Sequence, residues 1–346
     1  LERVIASTRR VRGNLMETAR SPRFARDDMV YRWIRGPFES VPRTLGPFLM
    51  TEDDFLEALF KRMPRPPGEL VIPPGDDCAG FREAGGSLLL IAADQVVEGR
   101  HFLDEGAFAS SPQQVGRKLL ARNLSDIAAM GGTPLYCLSS VALGSRHGAA
   151  WLDRFFDGML DLARRWDTHL IGGDLARGAG KTVASLTIVG RAVESRVLRR
   201  SGAGDGDGFW ATGLFGRSFP TGHHLEFEPR LAEARWLCEQ GFASAMIDVS
   251  DGLLIDAGRL CRASGVSLFL DVGAVPRRGT GTSAEQALSD GEDYELLFSV
   301  PKEKERRLGR EWPFRDLPLT RIGELRRAPS PDIFDTGGSP LAPPVP

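Results

Sequence analysis

Cysteine is scarce in this chain, histidine is rarer than usual, and long apolar runs are missing. The four cysteines, Cys78, Cys137, Cys238 and Cys261, lie far apart and form no Cys-x-x-Cys pair. This spacing argues against a zinc site and against a disulfide framework, and it fits a reducing, cytoplasmic setting. The five histidines show no metal-ligand spacing, and His223-His224 reads as a loop. No apolar run approaches the ~18 residues of a membrane span. The formal net charge is -2, so no basic surplus points to nucleic acid. The phosphate-binding signature Gly-x-x-x-x-Gly-Lys-Ser/Thr is absent, as are the His-Arg-Asp and Asp-Phe-Gly of protein kinases. Gly202-x-Gly204-x-Gly206 has no strand before it and no helix after it, so it is a poor dinucleotide fingerprint.

Carboxylates in short motifs are what the chain does have. They are Gly75-Asp76-Asp77, Asp94, Asn123-Leu124-Ser125-Asp126, Gly172-Gly173-Asp174, Asp248-Val249-Ser250-Asp251-Gly252 and Gly291-Glu292-Asp293-Tyr294. Each has an ordinary explanation in isolation, as a solvated turn, a cap or a salt bridge. Together they suggest a shared set of oxygen ligands for hard cations such as Mg²⁺, which in turn suit phosphate groups. Asn123 and Asp126 share a helix face with Leu119. A carboxylate on such a partly apolar face needs a partner, either a cation or one of Arg117, Lys118 and Arg122. Asp248 and Asp251 flank a strand-to-helix junction where both can reach one cation. Ser250 there is the expected N-cap, and the helix N-terminus can face a phosphate.

The 346 residues suffice for two domains with their own cores. Residues 1–49 carry ten arginines, no lysine and five acids, and are expected to be an extension or an upstream start without catalytic work. Thr51 is the expected N-cap of a short amphipathic helix over 52–62, with Asp54 as its N3 partner. Strands are expected at 88–93, 135–143, 183–193, 209–212, 245–249, 266–271 and 294–300, and His169-Leu170-Ile171 leads into Gly172-Gly173-Asp174. Helices are expected from Ser111-Pro112 to about Met130, from Trp151 to Trp166, near 229–240, and from Asp251 to Ala263 with Gly265 as the C-cap. The Gly-rich stretch 194–208 separates an N-terminal domain (50–193) from a C-terminal one (209–327). The Pro/Gly-rich tail 328–346 is expected to be loose. Strands and helices mix without strict alternation, so the fold class is α+β.

In their order, these motifs resemble the thiamine-monophosphate kinase family of the aminoimidazole-ribonucleotide synthetase-like ATP-binding superfamily. The resemblance covers about 50–325 and rests on the acidic motifs together with Asp94-Gln95-Val96-Val97-Glu98-Gly99-Arg100-His101-Phe102 and Arg200-Ser201-Gly202-Ala203. It implies a two-domain α+β fold, with N-terminal sheets pairing across a homodimer and nucleotide bound between domains. It implies Mg²⁺ ligation by Asp77, Asp94, Asp126, Asp248 and Asp251, with Asp126, Asp248 and Asp251 catalytic through the metal. It implies ATP contacts from Gly173, Asp174, Arg200 and Ser250, and thiamine phosphate contacts from His101 and Glu292. The implied reaction is ATP-dependent phosphorylation of thiamine monophosphate to thiamine diphosphate. The competing reading is a non-catalytic binder of nucleotide or thiamine phosphate, or another ATP-using synthetase of the superfamily. Two departures stand out. Ala92-Ala93 precedes Asp94 where the family carries hydroxyl side chains, and the family's Gly-aromatic-x-His-Phe end is replaced by Leu341-Ala342-Pro343-Pro344-Val345-Pro346.

Overall fold

Two six-stranded sheets lie on either side of the Gly-rich stretch in the computed structural model, which describes residues 52–64 and 68–342. The first sheet is built from β1 (Leu70–Ile72), β2 (Ala79–Arg82), β3 (Ser87–Val97), β4 (Thr133–Leu143), β5 (His169–Arg177) and β6 (Val183–Val193), in the order β1-β2-β3-β6-β4-β5. Its pairings are antiparallel except for β4 with β5. The second is built from β7 (Gly208–Thr212), β8 (Ala245–Asp248), β9 (Val266–Leu270), β10 (Leu296–Val300), β11 (Leu319–Arg327) and β12 (Ile333–Asp335), in the order β12-β9-β11-β7-β10-β8. The expected α+β class therefore holds. Among the described residues no helix is long and apolar enough to cross a membrane.

The helices are α1 (Glu52–Phe60), α2 (Pro112–Ala129), α3 (Ala149–Arg165), the short turns α4 (Ser218–Thr221) and α5 (His223–Glu226), α6 (Leu231–Glu239), α7 (Leu253–Ser264), α8 (Ala284–Ser289) and α9 (Lys302–Glu311). Helix α2 organises the site. Ser111 caps it as expected: its Oγ accepts the Gln114 amide while the Gln114 side chain accepts the Ser111 amide, and Pro112 fills the first helical position. Leu119, Leu120, Leu124 and Ile127 of α2 are buried. They belong to a core that takes in Leu88, Leu90 and Ile188 of the first sheet but also Met246, Phe298, Leu231 and Leu237 of the second half. One helix thus serves both sheets. It packs closely on α3 because two glycines face backbone there. A Cβ on Gly116 would stand 1.8 Å from the Phe155 carbonyl oxygen, and one on Gly158 2.0 Å from that of Gln113. Any larger residue would force the helices apart.

Several expectations need correction. Strand β3 runs through Asp94 to Val97 and does not end before it. Gly172-Gly173-Asp174 lies within edge strand β5, not in a turn after a strand. The bare Gly173 Cα makes room for a neighbouring strand, since a Cβ there would meet the Ser139 carbonyl oxygen at 1.8 Å. The tail is not loose throughout. β12 pairs with β9 in parallel, and the Leu341 amide donates to the Ile333 carbonyl. The expected extension over 1–49 and the expected cap Thr51 lie outside the described residues, and so does the Asp54 side chain.

Candidate active site

Three carboxylates from distant parts of the chain converge. Asp77 comes from the loop between β1 and β2, Asp126 from the last turn of α2, and Asp248 from the final position of β8. One ligand oxygen from each lies within 4.8 Å of the others. The convergence follows from α2 lying between the sheets, which carries Asp126 to the end of β8. The Asp77 side chain is 1% exposed; its Oδ1 accepts from Arg200 Nη2 at 2.7 Å, while Oδ2 is buried without a hydrogen-bond partner. Ser125 Oγ donates to Asp248 Oδ2 at 2.5 Å. Burial, followed by repulsion from Asp94, Asp248 and Asp77, pushes the Asp126 carboxyl well above the usual carboxylate range. Burial and Asp77 do the same to Asp248. Asp76, whose carboxylate accepts the Arg200 and Asp77 amides, is pushed up to about 6 by burial and by Asp77. Like charges packed in a desolvated site call for a counter-charge. None of the three cationic side chains that could have neutralised Asp126 is spent on it. Arg117 pairs with Glu228, Lys118 with Glu292 and Arg122 with Asp94.

The strand-to-helix junction after β8 departs from expectation. Gly252, not Ser250, is the N-cap of α7. The amides of Ser250, Asp251 and Gly252 all donate to Asp256 Oδ2, at 3.0, 2.9 and 3.2 Å. The chain's own carboxylate thus occupies the amides proposed for a phosphate. Asp251 turns outward: it is 53% exposed and pairs with Arg259 at 2.6 Å, outside the Asp77–Asp126–Asp248 group.

A second constellation adjoins the first. Lys118 Nζ, 0% exposed, donates to the His101 carbonyl at 2.6 Å and to Glu292 Oε2 at 2.8 Å, and lies 2.9 Å from His224 Nδ1. An ammonium can only donate, so His224 Nδ1 is the acceptor and carries no proton. Burial and Lys118 hold the His224 ring down to about 2, and burial and Arg122 hold His101 there as well, so both are neutral. Burial pulls Lys118 down to about 8 against the support of Glu292. Glu292 and Tyr294 adopt left-handed backbone, with φ of 64° and 50°. Such conformations cost of order 1–3 kcal/mol each and persist only where the surroundings fix them. Here the Glu292 and Tyr294 amides donate to the Ser250 and Val249 carbonyls, both at 2.8 Å.

Of the residues expected from sequence, Asp77, Asp126, Asp248 and Arg200 come together, and Asp94, His101 and Glu292 line the adjoining constellation. Asp94 is clamped by Arg122, with Nε to Oδ2 at 2.9 Å and Nη2 to Oδ1 at 3.1 Å. Within one chain, Gly173 and Asp174 do not join the cluster. Asp174 pairs in register with Ser140, whose exposed face of β4 is opposite to the buried face that packs toward α2. Lys118, Arg122 and Asp256 escape a reading by motif, and Ser125, though inside the Asn123–Asp126 motif, is assigned no role by it. The signal for Lys118 and Arg122 was their position on the Asn123–Asp126 helix, where they appeared only as possible salt-bridge partners.

Comparison with known proteins identifies the fold and the family. Residues 75–192 match the model of the AIR synthase related protein, N-terminal domain. The thiamine-monophosphate kinase of Salmonella typhimurium is 34% identical over 278 residues, spanning 72% of this chain and 83% of that protein. The Bacillus subtilis thiamine-monophosphate kinase is 32% identical, spanning 73% of this chain and 84% of its own length. The solved structure of AaThiL complexed with AMPPCP and TMP superposes with a TM-score of 0.73 at 26% identity, covering 87% of this chain and 98% of that one.

Proposed function

This chain belongs to the thiamine-monophosphate kinase family, and we propose that the Asp77–Asp126–Asp248 cluster is where it moves the γ-phosphoryl group of ATP onto thiamine monophosphate. The observation that carries the assignment of the site is the meeting of three desolvated carboxylates within 4.8 Å. An oxygen of the acceptor's phosphate forms a bond to the γ-phosphorus. The bond from that phosphorus to the β–γ bridging oxygen breaks, and ADP leaves with the electron pair. The second pKa of a phosphomonoester is ~6, so the acceptor is already anionic near neutrality and needs no general base. The obstacle is repulsion: two unit charges at ~4 Å repel by about 4 kcal/mol at an effective dielectric of 20.

The residues present fit a hard cation. The donor set is all carboxylate oxygen, and Asp77 Oδ2 is buried with no partner of its own. Mg²⁺ bound by Asp77, Asp126 and Asp248 would supply charge neutralisation and alignment of the phosphates. Arg200 fixes Asp77 and stands as a nucleotide contact. Ser250 keeps that role only through its side chain, since its amide is spent on Asp256. Glu292 and His101, held by Lys118, are assigned to the thiamine phosphate. Asp251, turned toward Arg259, is a weaker ligand than its motif implied. The four cysteines are free and buried, which supports a reducing, cytoplasmic setting.

A homodimer through the first sheet completes the reading. The edge strand β5 and its neighbour β4 expose Tyr136, Leu138, Ile171 and Leu175, an apolar edge that a second copy would cover. A nucleotide role for Gly173 and Asp174 depends on such pairing, because one chain keeps them away from the cluster. In sedimentation equilibrium, Ile171→Asp together with Leu138→Asp should convert a dimer to a monomer. A wild-type protein that sediments as a monomer would remove the dimer from the proposal.

The direct test of activity is a coupled ADP-release assay with Mg-ATP and a panel of phosphate acceptors. Thiamine monophosphate should be turned over and thiamine should not. Binding of thiamine monophosphate without ADP release would identify a non-catalytic relative instead.

A further inference from the structure

We propose that Arg122 is a fixed cation of the site: it neutralises Asp94 in place of a divalent ion and leaves its third nitrogen to bind the phosphate of the acceptor. The inference rests on the kinase reading given above and extends it to a residue that no acidic motif contains. The Arg122 side chain is 11% exposed, and its Nε and Nη2 hold both oxygens of Asp94. A fork of this kind takes up the carboxylate's charge and fixes its orientation. Nη1 is different: it is buried and has no hydrogen-bond partner. The nearest carboxylate, Glu292 Oε1, stands 3.8 Å away, beyond hydrogen-bond length. Glu292 cannot easily close that gap, because Lys118 ties its other oxygen at 2.8 Å and its amide is tied to the Ser250 carbonyl. Tyr294, whose hydroxyl is likewise buried and unpartnered, lies within electrostatic reach of the same guanidinium.

Two unpaired polar groups in one desolvated region are costly unless a ligand satisfies them. The ligand must accept hydrogen bonds from a guanidinium, so it is anionic or carbonyl-like. It must also reach the guanidinium beside Nη1, where Glu292 Oε1 stands 3.8 Å away. A phosphate oxygen meets both demands. Asp94, with both oxygens held by a guanidinium that keeps its charge at all working pH values, has little left to offer Mg²⁺.

A cation count tests this without reference to turnover. The full-length protein is titrated with Mn²⁺, and the free ion is followed by its electron paramagnetic resonance signal. Arg122→Leu should bind one more Mn²⁺ per chain than the unaltered protein, because Asp94 is then unpaired. By calorimetry, the same variant should bind thiamine monophosphate about tenfold more weakly, the usual effect of losing one charge-assisted hydrogen bond. An unchanged Mn²⁺ count, or unchanged affinity for thiamine monophosphate, would overturn the proposal. Should Arg122→Leu fail to fold, Arg122→Lys takes its place. It keeps the charge beside Asp94 but not the fork, so the Mn²⁺ count should hold while the phosphate affinity falls, and a retained affinity would again be fatal. Failure of the kinase reading looks different. The unaltered protein would then release no ADP with thiamine monophosphate, while the Mn²⁺ count of the variant would still report on Arg122.

Discussion

Asp126→Asn should lower kcat by about 10²–10³-fold and yet raise the melting temperature of the metal-free protein. The two effects share one cause. Asp126 is one of three carboxylates crowded within 4.8 Å, and burial with like charges pushes its carboxyl upward. Replacing it by a neutral isostere removes repulsion that the fold tolerates only for function, and relief of a buried unpaired charge stabilises by roughly 1–3 kcal/mol. Losing one oxygen ligand removes stabilisation available only to the transition state, for which loss of one preorganised partner costs about 10²–10³ in kcat. Activity and thermal denaturation measured on the same preparation decide the matter. A variant that melts lower than wild type and keeps its activity would make Asp126 a structural residue.

The second large effect is a pH-dependent stabilisation by Mg²⁺. Asp126 and Asp248 are raised in the folded state, and Asp76 is raised to about 6. A group whose folded pKa exceeds its unfolded value, ~3.9 for Asp, contributes stability that is full below the unfolded pKa. That contribution is lost as pH rises through the folded pKa. The metal-free protein should therefore bear a growing penalty from these three groups as pH rises from about 4, through about 6 for Asp76 and further for Asp126 and Asp248. Mg²⁺ binds the deprotonated forms, so the rise in melting temperature that it produces should increase over the same interval. At about 100 times its dissociation constant a ligand adds about 2.7 kcal/mol, and K⁺ at matched ionic strength should add far less. An increment that shrinks as pH rises, or no increment at any pH, would count against a cation site at this cluster.

How much of this could be read from residues alone varied with the range of the interactions. Local chemistry was legible: the Ser111 cap with Pro112 after it, the Gly265 stop of α7 and the runs that became β3, β4 and β6 all act within a few residues. The acidic motifs were legible as a set, and three of the five proposed metal ligands do meet. Direction was the hidden part. Asp248 and Asp251 are neighbours in sequence, yet β8 carries one inward while Arg259, about two turns into α7, draws the other out. Ser250 was a reasonable cap by composition, but Asp256 reaches back and takes the amides first. Arg122 and Lys118 were visible only as generic cations, since their partners Asp94 and Glu292 lie 28 and 174 residues away. The tail looked unstructured because its few apolar residues, such as Ile333, find partners only once β9 exists.

Helix α2 also bears on how the protein is made. It is synthesised more than 90 residues before Leu231, Leu237 and Met246, which complete its packing. A nascent chain stalled at about residue 200 would present α2 without the apolar neighbours that Leu231, Leu237 and Met246 supply. Such intermediates are sticky. The emerging N-terminal half should therefore depend on chaperone shelter at the ribosome until the second sheet arrives.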